Sequence, residues 1–313
     1  METIHLPHSE LTVSRLGMGG CPAGEYGWGH VSRPDVERAF HEALDAGVNL
    51  FDTADTYGLG RSEESLGEAL GARRREAVIA TKFGVRVENG QTTFDNSPAY
   101  LRAALDASLK RLNTDYIDLY QVHYLDGKTP ADELMDALIA LKKAGKIRAI
   151  GLSNLKREDA AAFAPYREHI SSFQHHFSLA HRDDEALIRL LSDTLGASPF
   201  TWGSLGQGVL TGKYDRAVTF DSSDRRSRAI YDNFHGDKLL HNLAIVDAMR
   251  PIAEAHRAPL SAVALRWILD TLPGSVALTG VKSPQQGLDN RLALTFTLTA
   301  EERALLDQAS ASE

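Results

Sequence analysis

The chain has 313 residues, 43% of them hydrophobic and 24% charged, with a formal net charge of -8. That composition is ordinary for a globular enzyme, long enough for two domains or for one α/β barrel, and too acidic for a generally basic nucleic-acid surface. Cys21 is the only cysteine, which excludes an intrachain disulfide and fits a reducing, cytoplasmic setting.

The opening stretch METIHLPHSELTVSRLG lacks a basic segment followed by an apolar one, so secretion is not expected. Its core, TIHLPHSELTVSRLG, predicts a small hairpin ahead of the first barrel strand. No run approaches the ~20 apolar residues of a membrane span; VALRWIL is interrupted by Arg266. Short β-type runs then alternate with amphipathic ones. RLGMGG precedes the helical RPDVERAFHEALDAG, and VNLFDTA, ending near Asp52, precedes a second helical pattern. That helix closes on Arg73 to Arg75, expected to be a solvated helix end, where cations suit the dipole. AVIATKFG, the helical PAYLRAALDASLKRL and YIDLYQVH follow. In TPADELMDALIALKKAG, Thr129 is the expected N-cap, Pro130 the first helical residue and Gly145 the stop. IRAIGLSN, SSFQHHFS, PFTWGSL and SVALTGV complete eight strands. A polar excursion from Lys213 to about Lys238 follows PFTWGSL, and it is long enough to be functional or disordered. Eight strands with helical crossovers predict a (β/α)8 barrel. With no Pro/Gly-rich linker and no repeat beyond the βα unit, residues 1–313 read as one domain.

In such a barrel the C-terminal strand ends carry the chemistry. Side chains alternate with period 2, so Val48, Leu50 and Asp52 share one face, as do Val78, Ala80 and Lys82, and Ile117, Leu119, Gln121 and His123. Three successive strands therefore end in Asp, Lys and His at one rim, with strands only ~5 Å apart. Any one of these alone would be an ordinary rim residue. Three in register, with Tyr57 in the adjacent glycine-bounded loop, form a candidate site.

The strings NLFDTADTYGLGRSEESLG, ATKFG, SLKRLNTDYIDLYQVHYLD, GKIRAIGLSN, LGQGVLTGKY and GVKSPQQGLDN carry a resemblance. In order and spacing over nearly the whole chain, they are similar to the aldo-keto reductases, closer to the branch of the potassium-channel beta subunits. The resemblance implies NADPH-dependent reduction of an aldehyde or ketone, with Asp52, Tyr57, Lys82 and His123 as catalytic residues. Tyr57 would be the general acid, Lys82 would lower its pKa, Asp52 would keep the lysine charged, and His123 would hold the substrate oxygen.

The resemblance also assigns an NADP site, although no G-x-G-x-x-G follows the first strand. Ser153, Asn154 and Gln174 match residues that hold the carboxamide. Trp202 matches the aromatic that stacks on nicotinamide, with barrel packing as the alternative. Gly203, Ser204, Leu205, Gly206 and Lys213 match the loop over the pyrophosphate, with Gly203 and Ser204 replacing a frequent serine–proline pair. Gly19 and Gly20 would line the ribose side, where a side chain would obstruct. Gly280, Lys282, Gln286, Asp289 and Asn290 would meet the 2′-phosphate and adenine, and Arg228 would serve as a belt arginine. Tyr26 and Trp28, with Tyr57, His123 and Tyr124, are the expected substrate contacts.

Two other readings compete: a redox-sensing binding subunit of the same fold, and a metal-dependent barrel hydrolase. The latter is disfavoured because adjacent His175 and His176 point to opposite faces and no H-x-H stands at a strand end. No metal, nucleic-acid or membrane partner is expected beside the small carbonyl substrate.

Overall fold

The computed structural model describes residues 1–311; the final two residues of the expected 1–313 domain lie outside the described residues. Twelve strands form among the described residues. A hairpin of β1 (Thr3–His5) and β2 (Thr12–Ser14) comes first. The barrel strands are β3 (Leu16–Gly19), β4 (Leu50–Asp52), β5 (Val78–Phe83), β8 (Ile117–Val122), β9 (Ile147–Ser153), β10 (Ile170–His176), β11 (Ser198–Trp202) and β12 (Val276–Gly280). They pair in chain order, all parallel, and close as β12 meets β3. A second hairpin, β6 (Val85–Glu88) and β7 (Gln91–Phe94), stands between β5 and the helix Pro98–Arg111.

Burial explains why these runs become strands. Every residue of β5 and β8 is buried, as expected of parallel strands covered by helices on one side and filled on the other. Leu50, Val78, Ala80, Leu119, Ala149, Phe200 and Val276 fill the barrel interior together with Leu6, Leu11 and Val13. The first hairpin is therefore a plug that shuts the N-terminal end, which leaves the opposite rim for ligands.

Around the barrel lie the helices Arg33–Asp45, Arg61–Leu70, Pro98–Arg111, Ala131–Lys143, Asp159–Phe163, Glu185–Leu195, Gly236–His256, Leu260–Thr271, Pro284–Arg291 and Ala300–Ala309. No described helix is long and apolar enough to cross a membrane.

Two local expectations change. The helix expected to begin at Pro130 starts at Ala131, with Pro130 at the cap position. Thr129 does not cap it: its hydroxyl donates instead to Asp126 Oδ2 at 2.7 Å, and Asp126 also accepts from the backbone N–H groups of Lys128 and Thr129. The turn before the helix thus captures the residue that would have capped it. Gly145 ends the helix as expected, at φ +73°.

The run Arg73 to Arg75 is more than a solvated helix end. Arg74 donates to the buried carboxylate of Asp118 at 2.7 Å and lies over the Tyr116 ring at 4.4 Å. Asp118 also accepts from the Ile79 N–H and from Arg148. The second arginine of the run is thus needed to balance a charge on the outer side of β8.

The Lys213–Lys238 excursion is ordered. It includes the single turns Arg225–Ser227 and Asp232–Phe234, and the helix after it begins at Gly236. Arg226 anchors it, with a bidentate bond to Asp224, a 2.6 Å bond to the Tyr214 hydroxyl and packing over Phe220 and Phe234. The N–H of Arg225 donates to Gly27 O at 2.9 Å, tying this loop to the one after β3.

Candidate active site

Asp52, Lys82 and His123 meet at the rim as the alternation predicts. Lys82, on β5, donates to Asp52 Oδ1 at 2.6 Å and to the Thr53 carbonyl at 2.9 Å. Both side chains are at least 95% buried, and a buried pair is tolerable only where its remaining lone pairs are satisfied. Two amides do this for Asp52 Oδ2: Gln174 Nε2 donates at 2.6 Å and Gln121 Nε2 at 3.1 Å. The Gln174 amide also reaches Gln121 Oε1 at 2.8 Å. Gln174 thus sits beneath the ion pair in this structure, and Gln121 is a site residue that sequence reasoning left without a role. Its signal was its place between Leu119 and His123 on the inward face.

Tyr57 lies above this pair, with the Lys82 ammonium 5.1 Å from its ring centroid. The expected lowering of the phenol pKa by Lys82 is not what the structure shows. Burial pushes the phenol well above its usual value, the neighbouring Cys21 and Asp52 push in the same direction, and Arg225 opposes them only weakly. The ammonium is already committed to Asp52 and Thr53. Tyr57 therefore keeps its proton at neutral pH.

His123 follows β8, its N–H donating to the Phe83 carbonyl at 2.8 Å. Its ring meets that of Tyr57 edge-on at 6.0 Å and stacks on Tyr124 at 5.1 Å. Burial, reinforced by the Lys82 charge, holds its pKa at about 3. The imidazole is neutral at physiological pH, and its buried Nδ1 has no partner among the described residues. We expect the His123 ring-proton resonance in NMR spectra, assigned by its loss in His123→Gln, to hold its neutral position from pH 8 down to 5; a midpoint near 6.5 would contradict the burial argument.

The flanking residues divide into two groups. Ser153 and Asn154 end β9, where the Asn154 amide donates to the His123 carbonyl and to Ser153 Oγ, each at 3.0 Å. Trp202 donates to Asn154 Oδ1 at 3.1 Å, and one of its faces stacks on His176 at 4.3 Å. Barrel packing, the alternative for Trp202, is thus present on that face. Gly203 has φ +67°, and a Cβ there would lie 2.5 Å from the His176 ring. The glycine that departs from the family's serine is therefore the residue that this packing requires. Ser204 is buried with its hydroxyl on the Thr201 carbonyl, and Leu205 and Gly206 begin the following turn. A side chain at Gly20 would strike Ser62 Oγ at 2.6 Å, and one at Gly19 would crowd Gly280 and Thr279. Protein packing alone leaves little room for a side chain at either glycine.

At the β12 end, Lys282 bonds the Trp28 carbonyl and is half-buried, and the charges of Arg226, Asp224 and Lys213 bear on it. The expected belt arginine, Arg228, lies on the same excursion. That residue is exposed, beside the Tyr26 hydroxyl, whereas Arg226 is turned inward because Asp224 and Tyr214 hold it. Gln286 accepts from the Lys282 N–H at 2.8 Å, Asp289 from Gln285, and the buried Asn290 donates to Thr279. Gly280, at the end of β12, is exposed. Ser283 makes no side-chain cap to the helix Pro284–Arg291, so that helix start keeps free N–H donors.

The outer wall is aromatic. Tyr26 lies under the Arg225 guanidinium at 4.7 Å, and the Trp28 indole donates to Cys21 Sγ at 3.1 Å and meets Tyr231 edge-on. Tyr231 was not foreseen, because the excursion that carries it has no periodicity to read.

A closed parallel barrel with a buried ion pair, a protonated phenol and a neutral imidazole at its C-terminal rim defines a barrel protein with a built acid–base site. The Aldo/keto reductase family profile matches residues 15–311. The chain is 33% identical over 296 residues to the Schizosaccharomyces pombe aldo-keto reductase yakc, whose name specifies NADP(+); the match covers 92% of this chain and 86% of that protein. It is 31% identical over 325 residues to the NADH-specific methylglyoxal reductase of Escherichia coli, covering 98% and 97%. The solved glycerol dehydrogenase of Gluconobacter oxydans superposes with a TM-score of 0.87 at 35% identity, covering 98% and 94%. The chain belongs to the aldo-keto reductase family.

Proposed function

We propose that this protein is an NADPH-dependent oxidoreductase that reduces an aldehyde or ketone to an alcohol at the Tyr57 rim. The observation that carries the reading is the buried Lys82–Asp52 pair beneath a protonated phenol and beside a neutral imidazole.

The chain's own groups supply the proton chemistry. A neutral His123 can donate an N–H to the carbonyl oxygen and stabilise negative charge as it develops there. Tyr57 can donate its O–H to that oxygen, because an alkoxide is far more basic than a phenolate. The fixed Lys82 ammonium then favours the phenolate left behind, and Asp52, gripped by Gln121 and Gln174, keeps the ammonium in place. In the alcohol-to-carbonyl direction the same phenol acts as base. Nicotinamide, when bound, supplies the hydride.

The residues present fit a phosphorylated dinucleotide. Lys282 and Lys213 lie beside the uncapped helix start at Ser283, with Arg226 held by Asp224 next to them, a donor set suited to a phosphate. The hydroxyl of Ser153 and the amide of Asn154 stand at the rim for a carboxamide, after Asn154 exchanges its present partners. The testing experiment is a panel of aldehydes and ketones with NADPH or NADH, followed by nicotinamide absorbance. Turnover with NADPH supports the reading; no carbonyl reduced with either nucleotide would refute it.

NADPH and NADH differ by one phosphate, so discrimination must come from groups that meet it. A charge-assisted contact is worth about 1.5–3 kcal/mol, roughly ten- to a hundredfold in affinity. Lys282→Ala should weaken NADPH by about that factor, toward the lower figure because Arg226 remains, and leave NADH little changed. Added salt should shrink the difference. Titration of both nucleotides by quenching of tryptophan fluorescence measures it, and an equal loss for both would show that Lys282 does not read the phosphate.

A further inference from the structure

The hairpin β6–β7 is absent from the plan of a bare barrel, and its position gives it a use. Phe94, its last residue, has its ring centroid 5.5 Å from that of Tyr124. Tyr124 stacks on His123 at 5.1 Å, and His123 meets Tyr57 at 6.0 Å. A chain of aromatic contacts thus runs from the proton donor out to the hairpin. Phe94 and Tyr124 are 44% and 38% exposed, high for large apolar rings, and two further exposed apolar side chains, Leu59 and Ile230, also stand on rim loops.

The placement of Phe94 is built. Asn89 and Gly90, with φ of +52° and +76°, make the tight two-residue turn that sets the register pairing Phe94 with Val85. Arg86 bonds Asp95 at 3.1 Å, and the Asp95 N–H returns to the Gly84 carbonyl. Next along the chain, Asn96 donates to the Tyr124 carbonyl at 3.1 Å and exchanges two further bonds with Asp126, which ties the hairpin base to the loop that carries Tyr124. Two half-exposed rings, tilted 48° to each other beside a reaction site, are a surface for another flat apolar group.

Resting on the carbonyl-reductase reading, we infer that Phe94 is a specificity-determining residue that, with Tyr124, grips the aromatic body of the substrate and directs the site toward aryl aldehydes and ketones. An aromatic pair contributes enough to change affinity about three- to tenfold. The test compares 4-nitrobenzaldehyde with methylglyoxal, with NADPH as reductant, in the wild type, Phe94→Ala and Phe94→Trp. Phe94→Ala should raise KM for the aryl aldehyde about three- to tenfold with kcat little changed, and leave both constants for methylglyoxal as they were. Phe94→Trp should restore the aryl KM. NADPH affinity, read by fluorescence quenching, should stay constant in both variants and shows that they are folded. Equal effects on the two aldehydes, or none on either, would overturn the assignment of Phe94 while leaving the reductase reading intact. A wild-type protein that reduces neither would overturn both.

Discussion

Replacing Tyr57 by phenylalanine is expected to lower carbonyl reduction by roughly two to four orders of magnitude, the contribution of a positioned general acid. The ring contacts with His123 and Lys82 survive the change, so NADPH should bind as before and the fold should be undisturbed. Steady-state rates, paired with a fluorescence titration of NADPH, separate the two quantities. Near-normal turnover in the variant would remove Tyr57 from the role of proton donor.

Lys82→Met should come close to this in lost rate and exceed it in lost stability. The methionine fills a similar volume but cannot balance the phenolate that forms as Tyr57 gives up its proton, and loss of a preorganised charge of this kind costs about a hundred- to a thousandfold. It also strands the carboxylate of Asp52 at the rim, 95% buried. Breaking one side of a buried pair costs about 3–5 kcal/mol. Gln121 and Gln174 still donate to Asp52, which places the loss at the lower end. Thermal unfolding should therefore shift down clearly in Lys82→Met and hardly at all in Tyr57→Phe. Full activity in the lysine variant would show that the ammonium does not support the phenol.

Much of this site was legible because it stands on parallel strands. Burial on both faces makes such strands largely apolar runs, and a charged or imidazole side chain on the inward face at the end of each run marks the rim. Asp52, Lys82 and His123 were readable in that way, and period-2 alternation put them on one face. Gln121 was visible on the same face, but its role was not. Its partner Gln174 lies two strands further round the barrel, and nothing in the spacing of one sequence says that both amides converge on Asp52.

Loops were read less well, for physical reasons. In the excursion after β11, Arg226 rather than Arg228 turns inward because Asp224 and Tyr214 capture it, a choice made by packing and not by any period. The second hairpin was overlooked although Asn89–Gly90 is a strong turn signal, because its strands are short and its outer residues polar. The protonation of Tyr57 depends on how deeply the phenol is buried. Residue types alone suggested that the lysine would dominate; the enclosure does instead.

The most direct test follows the transferred atom. The protein would be mixed with 4-nitrobenzaldehyde and NADPH carrying deuterium at the transferring position of nicotinamide C4, and the alcohol analysed by mass spectrometry. The account predicts an alcohol with one deuterium on the carbinol carbon, formed rapidly by the wild type and at least about a hundredfold more slowly by Tyr57→Phe. An alcohol without deuterium, or equal rates in the two proteins, would contradict it.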